Sequence, residues 1–256
     1  MRIVIKVGTS TLAHSTGLLN IKRVEEMCKV ISDLKNAGHE ILLVSSGAIG
    51  MGLGKIGKKK DKSDISLMQA GAAIGQCELM YVYDKLFSEY NHTVAQILMT
   101  GAFVAIEDYG KNLNNTLFRL LELGVIPIIN ENDTVTTDEI VIGDNDTLGA
   151  IISERVNADM LIILSDIDGL YTANPAVDPT ATRLEVIEDI TEEIEALAGS
   201  EGSHLGTGGM ITKIKAAKIA TECGAEVVIA NGKNPEILYD IVEGGGTCTR
   251  FPAKKH

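Results

Sequence analysis

Tryptophan is absent from this 256-residue chain, and only four phenylalanines and six tyrosines are present. Aliphatic side chains must therefore supply the core. The four cysteines, Cys28, Cys77, Cys223 and Cys248, stand apart from one another. With no CxxC pair and no Cys/His cluster, neither a zinc site nor a disulfide framework is expected, which leaves free thiols in a reducing compartment. No apolar run reaches membrane length, and the N-terminus enters a strand-like run (Arg2–Lys6) with no signal peptide ahead of it, so the chain is expected to be cytosolic. Positive charge is in deficit: 23 Lys and Arg face 35 Asp and Glu, for a net charge of −12. That balance excludes a general nucleic-acid or membrane-surface binder, although a few lysines gathered in a cleft can still reverse the field locally. His14, His39, His92, His204 and His256 keep no metal-ligand spacing. There is no persuasive Ser/His/Asp order, no internal repeat and no low-complexity linker.

What is present is an alternation of short aliphatic runs with helical periodicity. Strands are expected at Ile3–Val7, Glu40–Val44, Thr93–Leu98, Val125–Ile129, Met160–Leu164 and Glu226–Ala230, most of them continuous enough to be buried on both faces of a largely parallel sheet. Helices are expected at Ile21–Asn36, Ser66–Tyr90, Asn112–Leu123, Thr147–Asn157 and Thr212–Cys223. Gly38, Gly124 and Gly224 follow helices as C-terminal caps do. Alternation between Thr134 and Ile142 suggests a β-hairpin at a sheet edge. The basic run Lys58–Lys62 reads as a solvated loop.

The richest segment is Val125–Asp146. An apolar run leads into Asn130-Glu131-Asn132-Asp133, and a second cluster follows at Gly143-Asp144-Asn145-Asp146. A buried strand that releases carboxylates and amides at its C-terminal end is how open α/β sheets build ligand sites. Four further stretches have the chemistry of a binding loop. Lys6-Val7-Gly8-Thr9-Ser10 joins a lysine to a glycine turn whose amides suit an anion; an ordinary tight turn accounts for it equally well. Leu43–Gly50 puts Ser45-Ser46-Gly47 ahead of a helix, where Ser N-capping is the simpler account and anion binding the alternative. Gly206–Lys213 places closely spaced glycines, then Thr and Lys, at a helix start, which suits a polyphosphate but is not P-loop spacing. Leu164–Pro175 is a loop able to cradle a nucleoside, though a plain loop accounts for it too. Gly52–Lys59 nearly fits a P-loop and GxGxxG, but it lacks the required Ser/Thr and reads as a glycine-rich surface segment.

In order along the chain, IKVGTS, VSSGAIG, INEND, GDND, SDIDGLYTANP and LGTGGMITK resemble the motifs of the amino-acid kinase family, and within it the branch that phosphorylates glutamate. The resemblance implies a three-layer αβα fold around a mainly parallel sheet. One kinase domain would span residues 1–256, with about 1–166 binding glutamate and about 167–256 binding ATP. It implies ATP as cosubstrate, Mg²⁺, and phosphorylation of the γ-carboxylate of L-glutamate, the first step towards proline. Carried over by motif, Lys6 and Lys213 stabilise the transferred phosphoryl charge and Asp146 holds them in place. Ser46, Gly47, Asp133 and Asn145 bind glutamate. Lys6, Gly8, Ser165, Asp166, Thr207, Gly208, Gly209, Met210 and Lys213 line the ATP site, and no protein ligand for the metal is implied. The implied partners are proline as feedback inhibitor, further copies of the chain in a dimer or tetramer, and glutamyl phosphate reductase receiving the product. The chain ends at His256 without the PUA domain many bacterial members carry, and Asn174 stands where the family often has Asp, a lost charge expected to matter little. The alternatives are a kinase for another small acid, such as N-acetylglutamate, carbamate or a nucleoside monophosphate, and a non-catalytic amino-acid sensor. Asp133 argues for an amine-bearing substrate, and the charged trio Lys6, Asp146 and Lys213 argues against a sensor.

Overall fold

The structure, a computed structural model, describes residues 1–14, 16–100, 107–136, 145–175, 177–199 and 209–254. Seven strands form one sheet: β1 (Arg2–Val7), β2 (Glu40–Ser45), β3 (Val94–Met99), β4 (Ile126–Glu131), β5 (Met160–Ser165), β6 (Glu226–Asn231) and β7 (Cys248–Phe251). Their order is β3-β4-β2-β1-β5-β6-β7, and every neighbouring pair is parallel except β6 and β7. Apart from the edge strand β3, where Gln96 and Leu98 are exposed, the aliphatic runs behave as the sequence predicts for strands covered on both faces. Each of the six parallel strands carries on into one or two polar residues at its C-terminal end or starts slightly off the expected boundary, because the ladder of backbone hydrogen bonds does not stop where hydrophobicity does.

Nine helices are described: α1 (Thr9–Leu12), α2 (Ile21–Asn36), α3 (Ala48–Lys55), α4 (Ile65–Ser88), α5 (Glu107–Glu122), α6 (Asn145–Val156), α7 (Glu192–Gly199), α8 (Met210–Glu222) and α9 (Ile237–Val242). Asn20 and Asp64 cap α2 and α4 by accepting the amides of Arg23 and Leu67 at 3.2 and 2.9 Å, as short polar side chains do at helix starts. Alternate strand residues feed two separate cores. Ile3, Ile5, Ile41 and Leu43 pack with Met27, Leu79, Phe87 and Leu238, from α2, α4 and α9. Val4, Leu42, Val44 and Ile163 pack with Leu117, Ile152 and Ile214, from α5, α6 and α8. Helices on both sides of one sheet give the three layers expected. The expected hairpin at 134–142 falls mostly outside the described residues.

The chain reverses its winding direction between β1 and β5. β1 leads outward to β2 on one side, and β5 leads to β6 on the other, although β1 and β5 are direct neighbours. Open α/β sheets bind ligands at the carboxyl ends of the strands flanking such a point. Here those ends are level, with Val7 opposite both Ser45 and Leu164.

One expectation is corrected. Gly52-Leu53 is not surface: both residues are buried in α3, which packs against α4 backbone to backbone. A Cβ added at Gly75 would lie 1.7 Å from the Ala48 carbonyl oxygen, and one at Gly52 would lie 1.9 Å from that of Gly71. The clash is with main chain, so it can be relieved only by moving a helix. Gly75→Ala is therefore expected to cost about 3 kcal/mol and to lower the melting temperature by roughly 6–12 °C, measured by thermal unfolding; an unchanged melting curve would contradict this packing.

Candidate active site

Lys6, the penultimate residue of β1, points to the α6/α8 side, where its stem lies against Gly149: a Cβ built there would sit 3.6 Å from Lys6 Cβ. Asp146 opens α6 and Lys213 lies in the first turn of α8. The three meet. Lys6 Nζ is 2.7 Å from Asp146 Oδ1, Lys213 Nζ is 3.0 Å from Oδ2, and the Thr212 hydroxyl donates to Oδ2 at 2.8 Å. Only 7% of Lys6, 1% of Asp146 and 4% of Lys213 is exposed. Burial alone pushes the Asp146 carboxyl up, but the two ammonium groups, with hydrogen bonds from Lys6 and Thr212, outweigh it and bring it down to about 2. At neutral pH the group is a carboxylate between two cations, and it sits at a helix N-terminus that favours negative charge. Next to it, a Cβ at Gly8 would come within 3.5 Å of Lys6 Nζ, so glycine keeps the approach to that ammonium open.

On the β2/β4 side, Asn145 Nδ2 donates to Ser46 Oγ and to Asn130 Oδ1, both at 2.9 Å, and approaches the Ser45 carbonyl oxygen at 3.3 Å. Asn130 Nδ2 in turn donates to Gln76 Oε1 at 2.9 Å. Ser46 is not the N-cap its position suggested; that place falls to Gly47 at φ +103°, a conformation natural for glycine, and no side chain caps the helix. Ser45 is fixed from below, its hydroxyl 2.8 Å from the hydroxyl of buried Tyr83. Asp133, in the turn after β4, is buried and its Oδ1 has no hydrogen-bond partner among the described residues. Burial pushes its carboxyl up to about 6, with Lys60 pulling the other way.

On the β5/β6 side, Ser165 is buried and donates to the exposed Asp166 at 3.1 Å. Asn231, at the end of β6, donates to Asp168 Oδ1 at 2.9 Å and tethers the loop after β5. A cavity of about 790 Å³ opens beside them, lined by Asp168, Asn231, Lys233, Ile237 and Tyr239 among others. Gly209 and Met210 begin α8, whose N-terminus carries no side-chain cap and is suited to phosphate. Thr207 and Gly208 of the expected ATP loop, and Gly143-Asp144 of the second acidic cluster, lie outside the described residues.

Residues 1–231 match the sequence profile of the Amino acid kinase family. The chain belongs to the amino acid kinase family. It is 52% identical over 258 aligned residues to a glutamate 5-kinase of Clostridium perfringens, covering 99% of this chain and 96% of that one. It is 50% identical to a glutamate 5-kinase of Clostridium acetobutylicum (99% and 95% covered) and 48% identical to one of Listeria innocua (99% and 94%).

In this amino acid kinase the matched segment runs from β1 through β6 and so contains the Lys6–Asp146–Lys213 cluster, the Ser46–Asn145–Asn130 row and Asp133, while Lys233, Ile237 and Tyr239 of the cavity lie just beyond it. Lys6, Asp146 and Lys213 come together as the motifs implied, and so do Ser46 and Asn145. Sequence reading passed over Asn130 as a site residue, although it stands inside INEND, and missed Gln76, Asn231 and Lys233. For Asn231 the available signal was its place at the end of a buried strand. Gln76 carries no such signal, since it lies mid-helix.

The raised Asp133 carboxyl has a cost for folding. The folded chain holds that proton to higher pH than the unfolded one, so stability falls as pH rises from about 4 to about 6, and the full cost persists above that window. Asp133→Asn is expected to stabilise the ligand-free protein at pH 7.5 by on the order of 1 kcal/mol, or roughly 2–4 °C, with the gain vanishing at pH 4. Equal melting temperatures of the two proteins at pH 7.5 would contradict it.

Proposed function

We propose that this chain transfers the γ-phosphoryl group of ATP to the γ-carboxylate of L-glutamate. The observation that carries the reading is the buried Lys6–Asp146–Lys213 cluster at the switch point, with an Asp133 carboxylate oxygen that has no partner among the described residues on one side and the open cavity on the other. The glutamate 5-kinases matched along 99% of this chain support the choice of acceptor.

A γ-carboxylate, with a pKa of about 4.3, is already ionised at neutral pH, so the acceptor needs no general base. Asp146 is not a candidate for one: held at about 2, it takes no proton at neutral pH. The reaction instead requires two anions to be brought together in line and the charge on the transferring phosphoryl group to be balanced. A γ-carboxylate oxygen attacks the terminal phosphorus as the bond to the bridging oxygen of ADP breaks. ADP leaves as an anion, and the product is an acyl phosphate. Lys6 meets the transferring group from β1 and Lys213 meets it from α8, while Asp146 fixes the gap between them. Ser46, Gly47, Asn145 and Asp133 hold the acceptor, and an ionised Asp133 pairs with its α-ammonium.

Residues 1–166 supply the acceptor half in this reading and residues 167–256 the nucleotide half. Ser165, Asp166 and the segment from Thr207 to Lys213 take the nucleotide, and its base and sugar occupy the cavity beside Asn231. Both Asp146 oxygens are engaged by Lys6, Lys213 and Thr212, and among the described residues no three His, Cys, Asp or Glu side chains converge as a metal cage. That arrangement fits Mg²⁺ arriving on the nucleotide, held by phosphate oxygens and water. Proline carries the same paired amine and carboxylate as glutamate and would occupy the Asp133 side as a feedback inhibitor. The acyl phosphate is open to hydrolysis, which favours hand-over to a reductase. Assembly into a homo-oligomer and a cytoplasmic setting complete the proposal; no described helix is long and apolar enough to cross a membrane.

Incubation with ATP, Mg²⁺ and a panel of small acids, with hydroxylamine trapping, is expected to yield γ-glutamyl hydroxamate from glutamate. Product from another acid and none from glutamate would overturn the assignment. Lys213→Ala should lower kcat by about 100-fold or more with a small change in glutamate KM, whereas Asp133→Ala should act mainly on that KM. Steady-state kinetics of both variants decides, and the reverse pattern would exchange the two roles.

A further inference from the structure

Three buried polar atoms around the acceptor pocket have no hydrogen-bond partner among the described residues: Asp133 Oδ1, Asn145 Oδ1 and Gln76 Nε2. Their residues are 4%, 1% and 7% exposed. A buried polar group left unpaired is costly, so three on neighbouring elements point to something that satisfies them. Their signs differ. Two are acceptors, one of them a carboxylate oxygen, and the third is an N–H donor on the other side of Asn130.

The hydrogen bonds fix this polarity. Gln76 Oε1 accepts from Asn130 Nδ2, which turns Asn130 Oδ1 towards the amide of Asn145. Asn145 spends its Nδ2 on Asn130 Oδ1 and Ser46 Oγ, so its own oxygen is left facing no donor. Each amide's orientation dictates the next, and the row leaves an N–H at the Gln76 end and an oxygen at the Asn145 end, with Asp133 three residues along the chain from Asn130. Gln76 also follows Gly75, which touches the first turn of α3 at Ala48. Its own side chain reaches across to β4 through Asn130. Asn130, its partner, is on β4, and β2 lies between β4 and the Lys6 strand, which puts Gln76 on the side of the pocket away from the transferring phosphoryl group.

An α-amino acid offers the complement of this set on a single carbon: an ammonium for the two oxygens and a carboxylate for the N–H. Resting on the acceptor assignment above, we infer that Gln76 is a specificity residue whose Nε2 donates to the α-carboxylate of the substrate. Its Oε1 meanwhile holds the amide chain in the orientation that receives the ammonium. Neither acid of matching length without the α-carboxylate nor one with that group masked satisfies all three atoms.

The test is Gln76→Glu, which keeps an oxygen for Asn130 and replaces the donor with an anionic acceptor. It is assayed by hydroxamate formation on L-glutamate and on L-isoglutamine, which keeps the γ-carboxylate but carries an α-carboxamide. Wild type is expected to prefer glutamate. In Gln76→Glu the KM for glutamate should rise about 10- to 100-fold, that for isoglutamine should rise less or fall, and the KM for ATP should stay put. Gln76→Met, which removes donor and acceptor without adding charge, should bring the two acids towards equal kcat/KM and serves if the glutamate variant fails to fold. An unchanged glutamate-to-isoglutamine ratio in a folded variant overturns the inference, as does a loss shared equally by both acids. Failure of wild type to use glutamate would instead overturn the acceptor assignment, so the two failures are told apart.

Discussion

Everything at this site hangs on one carboxylate. Asp146 has two lysines within ion-pair distance, and without it two ammonium groups would be buried beside each other. Buried charges are tolerable only when paired and hydrogen-bonded, and removing the common partner of such a cluster is severe because it leaves uncompensated charge behind. The cluster also joins parts of the chain that are remote in sequence. Lys6 comes from the first strand, Asp146 from the helix after the acceptor motif, and Lys213 from the helix after the glycine-rich loop. Three elements far apart in sequence are thus held to each other by these ion pairs. Among the described residues two cations meet this one anion, a local concentration of positive charge in a protein whose overall charge is −12.

The acceptor side works by a different economy. It has one buried carboxylate and a row of neutral amides, and the amides do their work through orientation. A carboxamide has a donor end and an acceptor end, so a row of them transmits a choice made at one end to the other without moving a charge. This suits a substrate that must be gripped at its α-carbon while its far carboxylate is left to react.

Much of this was legible in the sequence. Buried parallel strands announce themselves as uninterrupted aliphatic runs, and α2 falls at Ile21–Asn36 as periodicity predicts. The charged trio and the Ser46–Asn145 pair follow from the family motifs that carry them. The failures have physical causes. α3 (AIGMGLGK) holds three glycines, which disfavour an isolated helix; tertiary packing imposes it, because glycine is what the contact with α4 requires. β7 is four residues long and preceded by Gly244, Gly245 and Gly246, too short for periodicity to register. Gln76 escaped because a hydrogen-bonded row of amides exists only once three separate segments are folded together, so no spacing along the chain encodes it.

The backbone contact between α3 and α4 bears on how this pocket can change over generations. Where two helices touch through main chain, there is no side chain to trim or enlarge, so the floor beneath Ser46 and Gly47 offers mutation nothing to select among. Variation is thereby channelled into the neighbouring side chains, Gln76, Asn130 and Asp133. A lineage changing this pocket would rewrite those side chains first and keep the glycines.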